Sequence, residues 1–431
     1  MLRARSVFCV VLTITLGATV TPAWEDPEGF FLGGEETIVF LGDSITQNGT
    51  YIDYVESFLA TRFPQVKFRI HNIGLSSETV SGTSEVDHDP PRPFVHDRFA
   101  RDVVPLAPDV VVVCYGMNDG NYSAFDEDRF RAYRRGVRLL VRRIRNETGA
   151  RVTFLTPPPF DAERRRVSDP DAKHDGYKNP HVGYDDVLAG YSKWLLGLRA
   201  PRWQDGLRLV VGDVHGLTNR HLERRRRDRQ GFYLAGDAVH PNATGHWLIA
   251  QALLNVWDAP PTCAEASIDA VSAKPLSGAV RNVRRSGESG VVFQWTTHLP
   301  MPFDSDWDED SIALEDVSSR WSRYRLQVSG LPASREQELV IDGESAGKFS
   351  SSEWARGIDL NSLKSLAPVR TAREVVKLVR QRRRLLDGHW RKHRSRIASA
   401  GDARSVRGRA AAIAVQIREL CRPRAYRVEI R

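Results

Sequence analysis

Ser44 stands where an apolar run, Val39-Phe40-Leu41-Gly42-Asp43, must turn from strand into helix. In parallel α/β sheets the carboxyl ends of the strands form the ligand crevice, so a hydroxyl at that turn is exposed. Taken alone, Ser44 or Thr46 would simply cap the following helix. Two further strand ends change that reading: Asn72-Ile73-Gly74 and Gly116-Met117-Asn118-Asp119. A glycine lets its N–H approach a ligand closely, and an asparagine amide is a neutral donor. Both suit the negative charge that develops on a carbonyl oxygen during acyl transfer. A fourth block, Gly236-Asp237-Ala238-Val239-His240-Pro241-Asn242, follows the last expected strand. Three-residue spacing on a tight turn can bring the Asp237 carboxylate to one imidazole nitrogen of His240 while the other faces Ser44. That is the orienter, base and nucleophile arrangement of an acyl-transfer site.

A rival pair is Asp213-Val214-His215, also at a strand end; one-residue separation in a strand points both side chains to one face. His246 follows His240 closely as well. His88-Asp89, His96-Asp97, His174-Asp175 and His181 lack the paired spacing of a metal site and read as loop residues, some of them in reach of a substrate.

The elements that must hold these residues are legible between Glu36 and Trp257. Apolar runs at Thr37 to Leu41, Val66 to Asn72, Asp109 to Tyr115, Arg151 to Thr156 and Leu207 to Asp213 alternate with amphipathic segments. The helical segments are Tyr51 to Arg62, Phe94 to Val104, Asp128 to Arg145, Tyr184 to Leu198 and Ala243 to Trp257. Alternation without hairpin signals predicts β-α units around a parallel sheet buried on both faces, a three-layer α/β domain with five strands. Pro157 to Gly183 breaks the rhythm, and a loop that long in a compact domain suits the wall of a substrate site.

With these elements in place, the chain resembles an SGNH/GDSL-type hydrolase over residues 36–258. The family's blocks are matched in order by Gly42-Asp43-Ser44, by Gly74, by Gly116 to Asp119 and by Asp237 to His240. The resemblance implies the flavodoxin-like sheet of that fold. It also implies Ser44 as nucleophile, His240 as base and Asp237 as its orienter, with an oxyanion hole from the Ser44 amide, the Gly74 N–H and the Asn118 side chain. It implies no metal or organic cofactor, and it leaves Asp43 and Asp119 to brace loops.

At 431 residues the chain exceeds what one core organises. Pro260 and Pro261 mark a boundary. Strand-like runs at Gly290 to Thr297, Tyr324 to Val328 and Glu338 to Ile341, the last with an Asp342-Gly343 turn, predict a small β-rich domain over 261–360. Residues 361–431 then read as a basic helical segment, with Val375, Val379, Leu386 and Trp390 along one face. Residues 370–396 hold eleven Lys or Arg against two acids, in a chain whose formal net charge is +8. Because arginines recur throughout the chain, this reads as a solvated face, and no nucleic-acid partner is expected.

Arg3 and Arg5, an apolar run from Val7 to Val20 and the small exit Thr21-Pro22-Ala23 read as a signal peptide over 1–23. The expectation is an extracytoplasmic protein, secreted or periplasmic, with no stable membrane span after its removal. Beyond that segment lie Cys114, a buried hydrophobe, and Cys263 and Cys421, which in an oxidising compartment could bridge. The patterns at Asn48-Gly49-Thr50 and Asn242-Ala243-Thr244 fit N-glycosylation, yet a glycan beside the expected site would obstruct it, which points to a bacterial source.

The function expected from all this is a serine esterase working through an acyl-enzyme on a small-molecule or polysaccharide ester, most simply deacetylating a carbohydrate. The alternatives are a lipase or lysophospholipase-type acylhydrolase, disfavoured by the absence of a long apolar lid segment, and a glycan-binding protein that has lost catalysis.

Overall fold

The computed structural model of the chain describes residues 29–199, 209–287, 289–394 and 400–431. The expected signal segment lies outside the described residues.

The first unit alternates strands and helices: β1 (Thr37–Gly42), α1 (Ser44–Asn48), α2 (Thr50–Arg62), β2 (Arg69–Asn72), α3 (Val95–Asp102), β3 (Val110–Cys114), α4 (Glu127–Thr148), β4 (Arg151–Leu155), α5 (Tyr184–Leu196), β5 (Leu209–Gly212), α6 (Val214–Asp228) and α7 (Ala243–Val256). Its five strands pair in parallel in the order β2-β1-β3-β4-β5. The central strands β1 and β3 are buried at every position, which is why Ile38 to Leu41 and Val110 to Val113 read as unbroken apolar runs rather than alternating ones. Right-handed crossovers place α2 on one face and the helices between β2 and β5 on the other. Helix α7 packs beside α2, while Tyr133 of α4 stacks on Tyr191 of α5, ring centroids 4.4 Å apart.

Two features departed from expectation within this unit. Helix α6, rich in Arg and weakly amphipathic, was hidden by its composition. His96, grouped with the loop histidines, sits on α3 inside the helix expected at Phe94 to Val104, its Nε2 3.2 Å from the Gly136 carbonyl.

The remaining strands are β6 (Thr262–Asp269), β7 (Lys274–Ser277), β8 (Val280–Ser286), β9 (Gly290–Thr297), β10 (Arg323–Ser329), β11 (Gln337–Ile341), β12 (Glu344–Phe349), β13 (Ile358–Asp359) and β14 (Arg424–Ile430), with α8 (Glu309–Leu314), α9 (Val317–Trp321), α10 (Ser351–Arg356), α11 (Ala367–Arg394) and α12 (Ala400–Cys421). They form two sheets, β13-β10-β6-β7 and β12-β11-β14-β9-β8. One apolar core joins them, with Trp295 of β9 stacked on Tyr324 of β10 at 5.5 Å. The expected hairpin through Asp342-Gly343 is β11–β12.

Residues 361–431 are not helical throughout. Strand β14 returns to lie between β9 and β11, with Tyr426, Val428 and Ile430 turned inward. The period-two alternation of Arg424 to Ile430 dictates that placement.

The basic face of α11 also differs from the solvated face expected. Arg383 takes Asp53 of α2 in a two-bond pair, with Nη2 2.9 Å from Oδ2. Arg380 reaches Asp304 at 2.7 Å and Arg382 pairs with Glu56. Three of these arginines therefore face acids, Arg382 and Arg383 those on α2 of the α/β unit and Arg380 one between β9 and β10. Between β9 and β10, Trp307 stacks on Trp247 of α7 at 4.7 Å, and His221 of α6 meets Glu315 at 2.9 Å.

Cys263 and Cys421 are both free and buried. Cys263 faces the β core and donates to the Arg323 carbonyl, whereas Cys421 packs in a separate cluster with Val375, Val379 and Ile417. Each thiol is consumed by packing in its own core, so the bridge held possible from the sequence does not form.

Candidate active site

The turn after β1 is shaped by contact. A side chain at Gly42 would place its Cβ 2.6 Å from the Cys114 carbonyl oxygen, so only glycine lets β1 run against β3 to its end. Asp43 then caps α1, its Oδ1 accepting from the Ile45 N–H at 3.0 Å. The Ser44 amide opens that helix and so has no intrahelical acceptor.

Ser44 Oγ lies 2.9 Å from His240 Nε2, and His240 Nδ1 lies 2.7 Å from Asp237 Oδ2. An ionised carboxylate only accepts, so Nδ1 carries the imidazole proton and Nε2 is the acceptor for the Ser44 hydroxyl. The loop is built to keep this geometry: Asp237 Oδ1 also accepts from the amides of Val239 and His240, at 3.1 and 2.8 Å. Partial burial pushes the Asp237 carboxyl up, but the bonds from the His240 ring and these two amides outweigh it and hold the group well below the usual carboxylate range. The His240 imidazole is raised, first by its hydrogen bond to Asp237 and further by the charges of Asp237 and Asp43. The structure thus brings Ser44, His240 and Asp237 into one chain of hydrogen bonds.

The rivals are engaged elsewhere. Asp213 caps α6 through the Gly216 N–H at 2.8 Å, and His215 turns to Asp185 at 3.1 Å. His246 is fully buried behind the site, stacked on Tyr51. Burial pushes its pKa down to about 3. Among the described residues, no group of three His, Cys, Asp or Glu side chains is placed to hold a metal ion.

The side chain of Asn118 is oriented by its neighbours. Its Oδ1 accepts from the Tyr122 hydroxyl at 3.0 Å and its Nδ2 donates to the Glu78 carbonyl at 3.1 Å. One Nδ2 hydrogen remains for a ligand. Asp119 below it accepts from the amides of Val80 and Ser81, at 2.9 and 2.8 Å.

The Gly74 N–H is placed differently from the expectation. It donates to Asn72 Oδ1 at 3.0 Å, so its hydrogen is already taken. What Gly74 does require is closeness: a Cβ there would lie 2.6 Å from the Thr46 carbonyl carbon and 2.9 Å from Gln47 Cα. Along this loop Ile73 donates to Phe40, Leu75 to Gly42, Ser76 to Gln47 Oε1, Glu78 to Leu75 and Thr79 to Pro93. Among the described residues, the one amide from 73 to 81 without an acceptor is that of Ser77, held at φ +62°. The next residue, Glu78, is the one that Asn118 holds. Tyr122 and Ser77 were both missed by sequence reasoning, because a left-handed Ser leaves no glycine to mark it.

No helix among the described residues is long and apolar enough to cross a membrane. No curated protein matches the chain by sequence. Among solved structures, a gut microbial diltiazem-metabolizing enzyme, BT4096, is similar in fold at 17% identity and a TM-score of 0.77, with 94% of this chain and 99% of that one covered. The acetylxylan esterase Axe2 from Geobacillus stearothermophilus matches at 22% identity and a TM-score of 0.36, covering 53% of this chain and 97% of its own. The GDSL-like lipase/acylhydrolase family model matches residues 40–248, the stretch that contains every group brought together above. Residues 40–248 are thus a GDSL-like lipase/acylhydrolase domain, and the protein is a serine esterase of the SGNH type.

Proposed function

We propose that the protein removes acetyl or similarly short acyl groups from carbohydrate esters outside the cytoplasm, with Ser44 as nucleophile, His240 as base and Asp237 as orienter. The observation that carries the chemistry is the continuous Ser44–His240–Asp237 chain at 2.9 and 2.7 Å. Ser44 Oγ attacks the ester carbonyl carbon while His240 Nε2 takes its proton. The oxyanion is held by the Ser44 amide, the free hydrogen of Asn118 Nδ2 and the Ser77 amide. Collapse breaks the ester C–O bond and the alcohol leaves with the proton from His240. Water then gives a proton to His240 as its oxygen attacks the acyl carbon; the C–Oγ bond to Ser44 breaks, Oγ takes that proton back from His240, and the acid leaves.

Support for a sugar as the alcohol comes from the neighbouring cleft, of about 280 Å³, between the 85–89 and 169–179 segments. Its walls carry Asp87, Asp175, Lys178 and Asn179 beside exposed Val86, with Tyr177 almost half exposed; the Glu85 carboxylate is taken by Arg92. The Tyr177 ring packs on Tyr122 at 5.3 Å, the residue that holds Asn118, which links the wall of the cleft to the oxyanion side. Polar groups with an exposed ring suit hydroxyl-rich substrates better than long acyl chains. The fold shared along almost the whole chain with the diltiazem-metabolizing enzyme supports a second reading, a small-molecule ester. The extracytoplasmic setting rests on the order of charge, apolar run and small residues in 1–23, and the bacterial source on the N-glycosylation patterns at Asn48 and Asn242 beside the site.

Turnover of acetylated xylo- and chito-oligosaccharides, aryl esters of increasing acyl length and small drug-like acetates decides between these. The proposal expects highest kcat/KM at acetyl with a sugar alcohol. A preference for long acyl chains would refute it.

A further inference from the structure

We infer that helix α11 belongs to the catalytic apparatus: Asp387 is a positioning residue that, by holding Asn72, sets the 73–77 turn presenting the Ser77 amide. This rests on the esterase reading above and adds a role for the C-terminal region within it.

The links are all buried. Asn72 Nδ2 donates to Asp387 Oδ2 at 3.1 Å, and the other end of the same amide accepts from the Gly74 N–H at 3.0 Å. The side chain therefore bridges a carboxylate of α11 and the backbone of the turn. Asp387 is fixed in its own right by Arg383 Nη1 at 2.8 Å, and Arg383 is clamped on Asp53 of α2. Asp53, Asn72, Arg383 and Asp387 are all less than 8% exposed. A buried charged cluster of this kind adds little stability over well-packed apolar residues. What it supplies here is direction: the Asp387 carboxylate only accepts and, with the more distant Gln47 carbonyl at 3.4 Å, turns Nδ2 of Asn72 towards α11 and Oδ1 towards Gly74.

The orientation matters because of what Gly74 touches. Its neighbour Leu75 donates to Gly42 beside the nucleophile, and Ser76 donates to Gln47 of α1. With the Gly74 amide capped by Asn72, the amide that emerges from this turn is that of Ser77. If Asn72 were free to rotate, its NH2 end could face the Gly74 N–H, two donors would oppose, and the turn would shift. Asp387 touches neither substrate nor Ser44. Its effect reaches the reaction through Asn72 alone.

The test measures kcat and KM for an aryl acetate per mole of Ser44 titrated with a fluorophosphonate, so that unfolded protein is not counted. Asp387→Ala should lower kcat about tenfold, part of the loss seen when an oxyanion donor is removed outright, with KM within about twofold. Asp387→Asn, whose carbonyl still accepts from Asn72 and Arg383, should recover kcat to within about threefold. Asn72→Ala should fall by a similar factor, and the double variant Asn72→Ala/Asp387→Ala should be no slower than either single one. Equal kcat per titrated site in wild type and Asp387→Ala, or effects of the two substitutions that simply multiply, would overturn the inference. Asn72→Ala leaves the Asp387–Arg383–Asp53 cluster in place, so an unchanged kcat in it is equally fatal if Asp387→Ala does not fold. A wild-type protein that neither reacts with the fluorophosphonate nor turns over would sink the esterase reading and this one together.

Discussion

Gly74→Ala separates two roles for the second block, donor and spacer. An added methyl would sit 2.6 Å from the Thr46 carbonyl carbon and 2.9 Å from Gln47 Cα. Ordinary carbon contacts lie near 3.5–4.0 Å, so the turn and α1 must part by roughly 1 Å. Both contacts are backbone, and no side-chain rotation relieves them. Overpacking of this kind costs about 1–3 kcal/mol. Because α1 is a single short helix that begins at Ser44, the displacement reaches the nucleophile, where ~1 Å of misplacement costs ~10²-fold in rate. The backbone N–H is unchanged by the substitution. The assay is kcat per fluorophosphonate-titrated site beside the thermal midpoint, and both should fall. Wild-type kcat with a wild-type midpoint would refute the reasoning, since it would show that the turn and α1 are not in rigid contact.

Ser77→Gly keeps the amide and removes the strain of a left-handed Ser, so kcat per site should be unchanged; a large loss would remove Ser77 as a donor. Its stability should change little, because relief of roughly 1 kcal/mol is offset by the greater freedom of glycine in the unfolded chain. Activity should rise with pH through an acid limb above 6.5, because His240 must be neutral to act as base and its pKa is raised. A reducing agent should leave the thermal midpoint unchanged, as Cys263 and Cys421 are free, whereas loss of a bridge would remove about 2–4 kcal/mol.

The α/β fold was legible because a parallel sheet buried on both faces writes itself as apolar runs separated by amphipathic ones. The meeting of Ser44, Asp237 and His240 was legible because such a sheet brings the ends of its strands to one edge. The oxyanion side was legible only in part. Gly74 was read as a donor since glycine permits close approach, and it does approach closely, but toward Gln47; its hydrogen goes to Asn72. Ser77 carries no mark in the sequence, because its left-handed backbone is imposed by the contacts of residues 74–79 and not by its own side chain. The arginines of α11 looked like a solvated face because their partners, Asp53, Glu56 and Asp304, lie 76 to 330 residues away. Such pairings depend on tertiary structure that no local pattern reports. The alternation in Arg424 to Ile430 was visible and was passed over beside the helices that precede it.

Ser44 is the nucleophile on which the esterase chemistry depends. Mass spectrometry of the protein after reaction with a fluorophosphonate, run on wild type and on Ser44→Ala beside aryl acetate turnover, tests it directly. A single adduct on the Ser44 peptide, loss of turnover in step with labelling, and neither label nor turnover in Ser44→Ala are expected. A folded wild type that takes no label, or a Ser44→Ala protein that still labels and hydrolyses, would contradict it.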